Sequence, residues 1–222
     1  MKRIGVLLAG AGVQDGSEIH EATLTLLYLA QHGAAVVCLA PEAPQTKVID
    51  HRTGQSTAEQ RDMLTEAARI ARGEIQPLSA VPADALDGLI IPGGMGAALN
   101  LCDYGERGQA FSIREDVAAL LQALRERGKP IGAICIAPVI VAGLFGRAGL
   151  PVEVTIGDDP HVAADIEAWG ARHIARRADQ AHVDREHAIA TTPAYMLGRN
   201  AAEIAPGISA VVAAVLEMAK PS

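Results

Sequence analysis

Short apolar runs alternate with glycine-bearing loops and helical periods along this chain. Ile4 to Ala9 is the first run and reads as a strand. Ser17 to about Ala30 has helical periodicity, with Gly33 placed to close the helix. Ala35 to Leu39 is a second strand, stopped by Pro41. Val48 to Gln55 reads as a short excursion. Ser56 to Glu59 and Ser112 to Glu115 have capping-box spacing, predicting helices to about Ala71 and to Arg127. Leu86–Ile91, Ile131–Ile134, Val152–Ile156, Arg172–Ala175 and Ala188–Thr192 read as further strands. Helices are expected from Pro138, from about Pro160 to Trp169, and from roughly Ile208 to Lys220. Strands alternating with helical periods predict an α/β fold, with a mostly parallel sheet and helices on both faces. The expectation is one doubly wound domain over 1–222.

Composition narrows the class. Half of the residues are hydrophobic, enough for a real core and against a disordered chain. The net charge of −7 argues against a nucleic-acid partner, which needs a basic face. Three cysteines without zinc-knuckle spacing point to neither a disulfide scaffold nor a structural zinc site, and fit a reducing compartment. No histidine pair has metal-ligand spacing, so no metal is expected. No run approaches the ~20 consecutive apolar residues of a membrane helix. The N-terminal run is shorter than a signal-peptide core of roughly 7–15 residues. A cytoplasmic protein with no membrane partner is the expectation.

Ligands of doubly wound sheets sit beyond the carboxyl ends of the strands, and four features lie there. Gly10, Gly12 and Gly16 resemble a dinucleotide loop, but the spacing is wrong and Asp15, Glu18 and Glu21 would repel a phosphate. Even with Glu42 past the second strand as a ribose-binding acid, no nucleotide cofactor is expected. Cys135 ends a strand just before Pro138 opens a helix, the geometry of a nucleophile elbow. A helix N-terminus should lower its thiol pKa; a buried core cysteine is the plainer alternative. Glu18 and Glu21 share a helix face at the same sheet edge. They read either as proton carriers for that thiol or as ordinary compensation of the helix dipole. His20 lies between them, off that face. Gly93 and Gly94 follow a strand, where Gly94 N–H with Ile136 N–H can form an oxyanion hole or the glycines merely make a tight turn. Cys38 reads as core, and Cys102 as a loop residue open to exposure. The stripes Ile19, Thr23, Leu26, Ala30 and Val211, Val215, Met218 each read as core or interface.

Taken together, Asp15–Glu21, Ile91–Ala98, Cys135–Pro138 and Thr191–Met196 resemble the ElbB-type isoprenoid biosynthesis glyoxalases of the PfpI superfamily. The resemblance runs from Lys2 to about Lys220. It implies a flavodoxin-like three-layer sandwich of class I glutamine amidotransferase-like type, with Cys135 at the elbow. It implies a first-helix glutamate against that sulfur, with Glu21 the better match and Glu18 second. Gly93 and His20 are the candidate substrate contacts. It further implies a homodimer and a cofactor-independent glyoxalase, a lyase turning glyoxal into glycolate, with links to protein deglycation and carbonyl-stress defence. The chain departs from its relatives at Ala11 and Gln14, where many carry cysteine and tyrosine. Ile136 follows Cys135 where many superfamily proteases and amidotransferases have a histidine. A redox-sensing or stress-interaction protein and an amidotransferase-like hydrolase are the alternative readings. The glyoxalase chemistry requires a glutamate whose pKa is raised, because an ionised neighbour would oppose the thiolate.

Overall fold

The computed structural model describes residues 1–220. Strands β1 (Arg3–Leu7), β2 (Ala35–Ala40), β5 (Ile75–Pro77), β6 (Gly88–Ile91), β7 (Ile131–Ile134), β10 (His182–Asp184) and β11 (Ile189–Thr192) form one sheet. Two small pairs lie outside it: β3 (Ile49–Asp50) with β4 (Gln55–Ser56), and β8 (Glu153–Val154) with β9 (Arg172–His173). The helices are α1 (Ile19–Gln31), α2 (Met63–Ile70), α3 (Met95–Leu99), α4 (Tyr104–Arg107), α5 (Glu115–Glu126), α6 (Pro138–Gly146), α7 (Pro160–Ala168) and α8 (Ala201–Met218). The sheet order is β10-β11-β7-β6-β1-β2-β5, parallel throughout except for β10 on β11. The architecture is the flavodoxin-like, mostly parallel α/β sandwich expected.

Alternation along the strands splits the core in two. Ile4, Val6 and Leu8 face a layer shared with Ala22, Leu29, Val211 and Val215. Leu7 and Ala9 face the opposite layer, with Leu121, Val139 and Phe145. From β1 the chain runs outward through β2 to β5, then returns across β1 to β6 and β7. The order reverses between β1 and β6, so a crevice opens beyond their carboxyl ends.

Several expected boundaries move. Ser56 lies in β4, and α2 opens seven residues later under Asp62, whose carboxylate accepts from Thr65 N–H at 2.8 Å. The second capping box also fails. Residues 112–114 are held extended against Leu101–Asp103, so α5 opens at Glu115 without a side-chain cap. The Val152–Ile156 run pairs only over Glu153–Val154, outside the main sheet. Helix α8 begins seven residues before Ile208 and runs through Pro206. Asn200 caps it through Ala202 and Glu203 N–H. Gly207 then fits where an added Cβ would lie 2.4 Å from Thr192 Oγ1, so close packing holds the helix through its breaker. By length and hydropathy α8 is apolar enough to cross a membrane; here Ile204, Ile208, Val211, Val212 and Val215 are buried against the sheet.

Helix α1 buries Glu21, Ala22, Thr25 and Leu29 and leaves Ile19 48% exposed, so Ile19 is not core and the reading left to it is an interface. One further expectation needs correction. Cys102 is buried, not exposed. Asn100 Nδ2 ties its loop inward to Ala9 O and Asp15 O, at 3.0 and 2.8 Å.

Candidate active site

The first loop builds a platform from backbone. Gly12 N–H reaches Ser17 O at 2.8 Å, and Ser17 Oγ accepts from Ala9 N–H at 2.9 Å. The loop after β6 lies directly on this turn. Met95 N–H donates to Val13 O at 2.7 Å, Gly96 N–H to Gly16 O at 2.9 Å, and Glu18 N–H to Gly93 O at 2.9 Å. A Cβ on Gly94 would sit 2.5 Å from Gly16 O, and one on Gly96 2.5 Å from Gly16 Cα. The glycines that resembled a phosphate cradle therefore serve backbone-to-backbone packing. Asp15 is buried in the same turn and accepts from Ile49 N–H at 2.7 Å.

The two glutamates divide their work. Glu18 is the N-cap of α1, its Oε2 accepting Glu21 N–H at 2.7 Å. An acid is at home there, where the helix dipole is positive. Glu21, one turn on, is fully buried. Its Oε2 accepts Gly93 N–H at 2.9 Å and its Oε1 accepts Tyr195 N–H at 3.3 Å. Its carboxyl also hydrogen-bonds the Cys135 thiol. Glu21, not Glu18, meets the sulfur.

Cys135 is the elbow. Its φ of 62° is left-handed, which for a residue with a Cβ is strained by roughly 1–2 kcal/mol. The turn is held by Cys135 N–H donating to Thr192 O at 2.9 Å, and by Pro138 at the first position of α6. The Gly94 and Ile136 N–H groups both hydrogen-bond to the sulfur. The two donors expected to hold an oxyanion thus converge on the thiol itself. Gly93 closes the gap beneath. A Cβ there would lie 2.4 Å from Cys135 Cβ and 2.7 Å from Glu21 Oε2. Its N–H and its carbonyl are engaged by Glu21 and Glu18, so Gly93 assembles the site from behind.

Burial dominates the electrostatics. It pushes Glu21 up to about 8, helped by the Glu18 charge and opposed by the Tyr195, Cys135 and Gly93 hydrogen bonds. The carboxyl is therefore protonated at neutral pH. Burial also pushes the Cys135 thiol up, and the Glu21 charge adds to this, against the two N–H donors. The expected lowering of that thiol does not hold. Cys135 is 8% exposed, and desolvation outweighs the hydrogen bonds offered at the helix start. Among the described residues, no histidine acts on the thiol. No cluster of histidine, cysteine, aspartate or glutamate among them could hold a metal ion.

No family model matches the chain. A Homo sapiens protein named glutamine amidotransferase-like class 1 domain-containing protein 3, mitochondrial, is 42% identical over 226 residues, spanning 97% of this chain and 83% of that protein. The chain belongs to this glutamine amidotransferase-like class 1 family. The Rattus norvegicus ES1 protein homolog, mitochondrial, is 40% identical over 97% of the chain and 84% of its own length. The crystal structure of an isoprenoid biosynthesis protein with an amidotransferase-like domain from Ehrlichia chaffeensis superposes with a TM-score of 0.92, at 32% identity, over 98% of this chain and 99% of that one. Drosophila melanogaster DJ-1beta shares the fold, with a TM-score of 0.56 at 17% identity over 98% of this chain and 95% of that one.

Two residues of the Thr191–Met196 motif serve the site in ways that the sequence left unassigned. Tyr195 offers its backbone N–H to Glu21, and its hydroxyl is paired with the His20 imidazole, Oη 2.7 Å from Nδ1. Thr192 fixes the elbow through its carbonyl, while its Oγ1 donates to Gln180 O at 2.8 Å. Both follow from one available signal, since Thr192 ends β11 at the sheet edge where ligands collect. His20 stands at the rim, its side chain 60% exposed and 3.9 Å from Glu18 Oε1. A cavity of about 730 Å³ lies apart from the thiol, lined by Arg176, Gln180, Leu197 and Pro206 among others.

Proposed function

We propose that the chain is a cofactor-independent thiol enzyme that converts glyoxal to glycolate, a lyase of the ElbB-type glyoxalase kind. One observation carries this reading: a buried, protonated glutamate hydrogen-bonds a thiol that also receives two backbone N–H groups. Once the pair has lost one proton, moving the remaining one from the Cys135 sulfur to the Glu21 carboxylate gives the reactive form, a thiolate beside neutral Glu21. The thiolate attacks one aldehyde carbon, an S–C bond forms, and the carbonyl pair moves to oxygen. Gly94 and Ile136 N–H hold that oxygen, and Glu21 supplies its proton. The Glu21 carboxylate then takes the hydrogen from the sulfur-bearing carbon and returns it to the neighbouring carbon. The product of this shift is a hydroxyacetyl thioester. Water, deprotonated by Glu21, releases glycolate and regenerates the pair. Glyoxal plus water balances glycolic acid, with no redox partner.

Protein deglycation and carbonyl-stress defence are part of the proposal, because each presents the same carbonyl to the thiol. A homodimer without nucleic-acid or membrane partners belongs to it too, supported by the acidic charge and the family resemblance. A reducing compartment is supported by three free cysteines; two relatives are named as mitochondrial. The redox-sensor alternative fits less well, because a sensor thiol is exposed and of low pKa. An amidotransferase-like hydrolase would want an imidazole beside the thiol, and none acts there among the described residues.

The test is glycolate formation from glyoxal without glutathione or metal. Wild type should turn over many times and Cys135→Ala not at all. A wild type that makes no glycolate while Cys135 is readily alkylated would overturn the reading.

A further inference from the structure

The reaction above leaves two proton transfers without a residue. Glu21 carries hydrogen from carbon to carbon. The oxygen on the second carbon must also gain a proton as the enediolate forms. The first oxygen must lose one as the thioester forms. We propose that the Tyr195 hydroxyl is the acid at that second oxygen, with His20 as the positioning residue behind it; this assignment rests on the glyoxalase reading.

The geometry favours this pair. Tyr195 N–H is bonded to Glu21 Oε1, so the residue that anchors the carboxyl also carries the phenol. The phenol turns to His20, Oη to Nδ1 at 2.7 Å, with ring centroids 5.8 Å apart. Its hydroxyl lies within the electrostatic reach of Glu21 and Glu18, and burial with those charges raises its pKa, so it keeps its proton. His20 is exposed on its other side, which opens its ring to water. A tyrosine–imidazole pair can pass a proton in either direction, because each partner both donates and accepts.

The transfer balances. Tyr195 Oη gives its proton to the second oxygen while Nδ1–H refills the phenol. His20 takes a proton from water at Nε2. As the first oxygen loses its proton to Tyr195, the relay runs backward and His20 returns one to water. The pair ends as it began.

The experiment compares wild type, Tyr195→Phe and His20→Gln in two assays at one pH: glycolate formation from glyoxal, and iodoacetamide alkylation of Cys135. Tyr195→Phe should lower kcat by about 10²-fold, the lower end for a general acid, and His20→Gln by about tenfold. Alkylation should stay within about twofold of wild type in both, since the thiol, Glu21 and the two N–H donors are untouched. Wild-type turnover by Tyr195→Phe overturns the assignment. So does parallel loss of turnover and alkylation in both variants, which would mark a structural role. A wild type that is alkylated but makes no glycolate overturns the glyoxalase reading, and this assignment with it.

Discussion

Two regions of the sheet bury carboxylates and treat them in opposite ways. At the centre, Glu21 lies among apolar strands with a second acid, Glu18, for company, and its pKa rises to about 8. At the far edge, Asp184 is also buried on β10, yet its pKa is lowered. Burial works against ionisation there too. It is outweighed by the Glu153 and His187 N–H groups and the His187 imidazole, whose Nδ1 lies 2.8 Å from Asp184 Oδ2. Nearby, His182 bridges Glu153 Oε2 at 3.0 Å and Arg176 at 3.2 Å. The edge is a paired network that ties β10 to β8. Among the described residues, no cation acts on the carboxyl at the centre. Burial alone is therefore not the signature of chemistry; burial without a counter-charge is.

Removing the central carboxyl gives the largest effect. Glu21→Gln should lower glyoxal turnover by about 10²–10⁴-fold, because amide cannot carry the proton. It should also change the pH dependence of stability. The folded pKa lies above the unfolded 4.5, so the Glu21 contribution is full below 4.5, declines as pH rises, and is gone above about 8. Relative to the variant, wild type should lose on the order of 4 kcal/mol between pH 4.5 and 8.5. Urea melts of both proteins across that range would read it. Parallel pH curves would show that Glu21 is not held neutral in the fold. Alkylation of Cys135 at high pH should be faster in the variant, since the neighbouring negative charge is gone.

The second test attacks the geometry rather than the charge. Gly93→Ala puts a Cβ 2.4 Å from Cys135 Cβ and 2.8 Å from Ile134 O, and the backbone on that side cannot yield. Overpacking of this kind costs about 3 kcal/mol and displaces the thiol from Glu21. A denaturation midpoint equal to wild type, with turnover intact, would mean that the elbow is looser than its contacts indicate.

The centre was also the more legible region in the sequence. Cys135, Glu21, Gly94 and Ile136 all sit one step past a strand or in the following first turn, and the strands were read nearly to the residue at Ile131–Ile134. What could not be read was local chemistry decided by distant packing. Glu18 and Glu21 are alike in sequence; only the Gly93 and Tyr195 N–H groups, 72 and 174 residues from Glu21, separate their roles. The expected fall in the Cys135 pKa weighed the helix dipole and missed the desolvation that a closed fold imposes. At the far edge, β10 escaped because its three residues carry a histidine and an aspartate whose partners lie outside the strand. Pro206 and Gly207 signalled a break that packing on Thr192 overrides.

The far edge should answer to stability alone. Asp184→Asn removes a charge that two N–H groups and an imidazole face, and should cost roughly 1–3 kcal/mol at neutral pH. The sign with pH is opposite to that of Glu21. Here the folded pKa lies below the ordinary value of 3.8, so the contribution is present above 3.8 and is lost as pH falls through the folded pKa. Urea melts at pH 7 and pH 3 should therefore show the variant's deficit shrinking with acid, while Cys135 alkylation at neutral pH stays at the wild-type rate. Slower alkylation would tie the edge network to the thiol.

The smallest effect belongs to the helix that runs between the two regions. Helix α8 packs on β7 beside Gly132 and on β11 beside Thr192, and Asn200 caps its start with two N–H bonds, at 3.0 and 3.1 Å. Asn200→Ala leaves these donors to water and should cost about 1 kcal/mol. If the helix is anchored by its buried face, the loss stays in its first turn. Val211, Val212 and Val215 then hold their place, and both Glu21 chemistry and the Asp184 network are unmoved. Hydrogen exchange would show faster exchange at Ala202 and Glu203 only, with kcat unchanged. Faster exchange reaching Val211 would mean that the cap, and not the packing, carries α8 through Pro206, and that the centre and the edge of the sheet share one support.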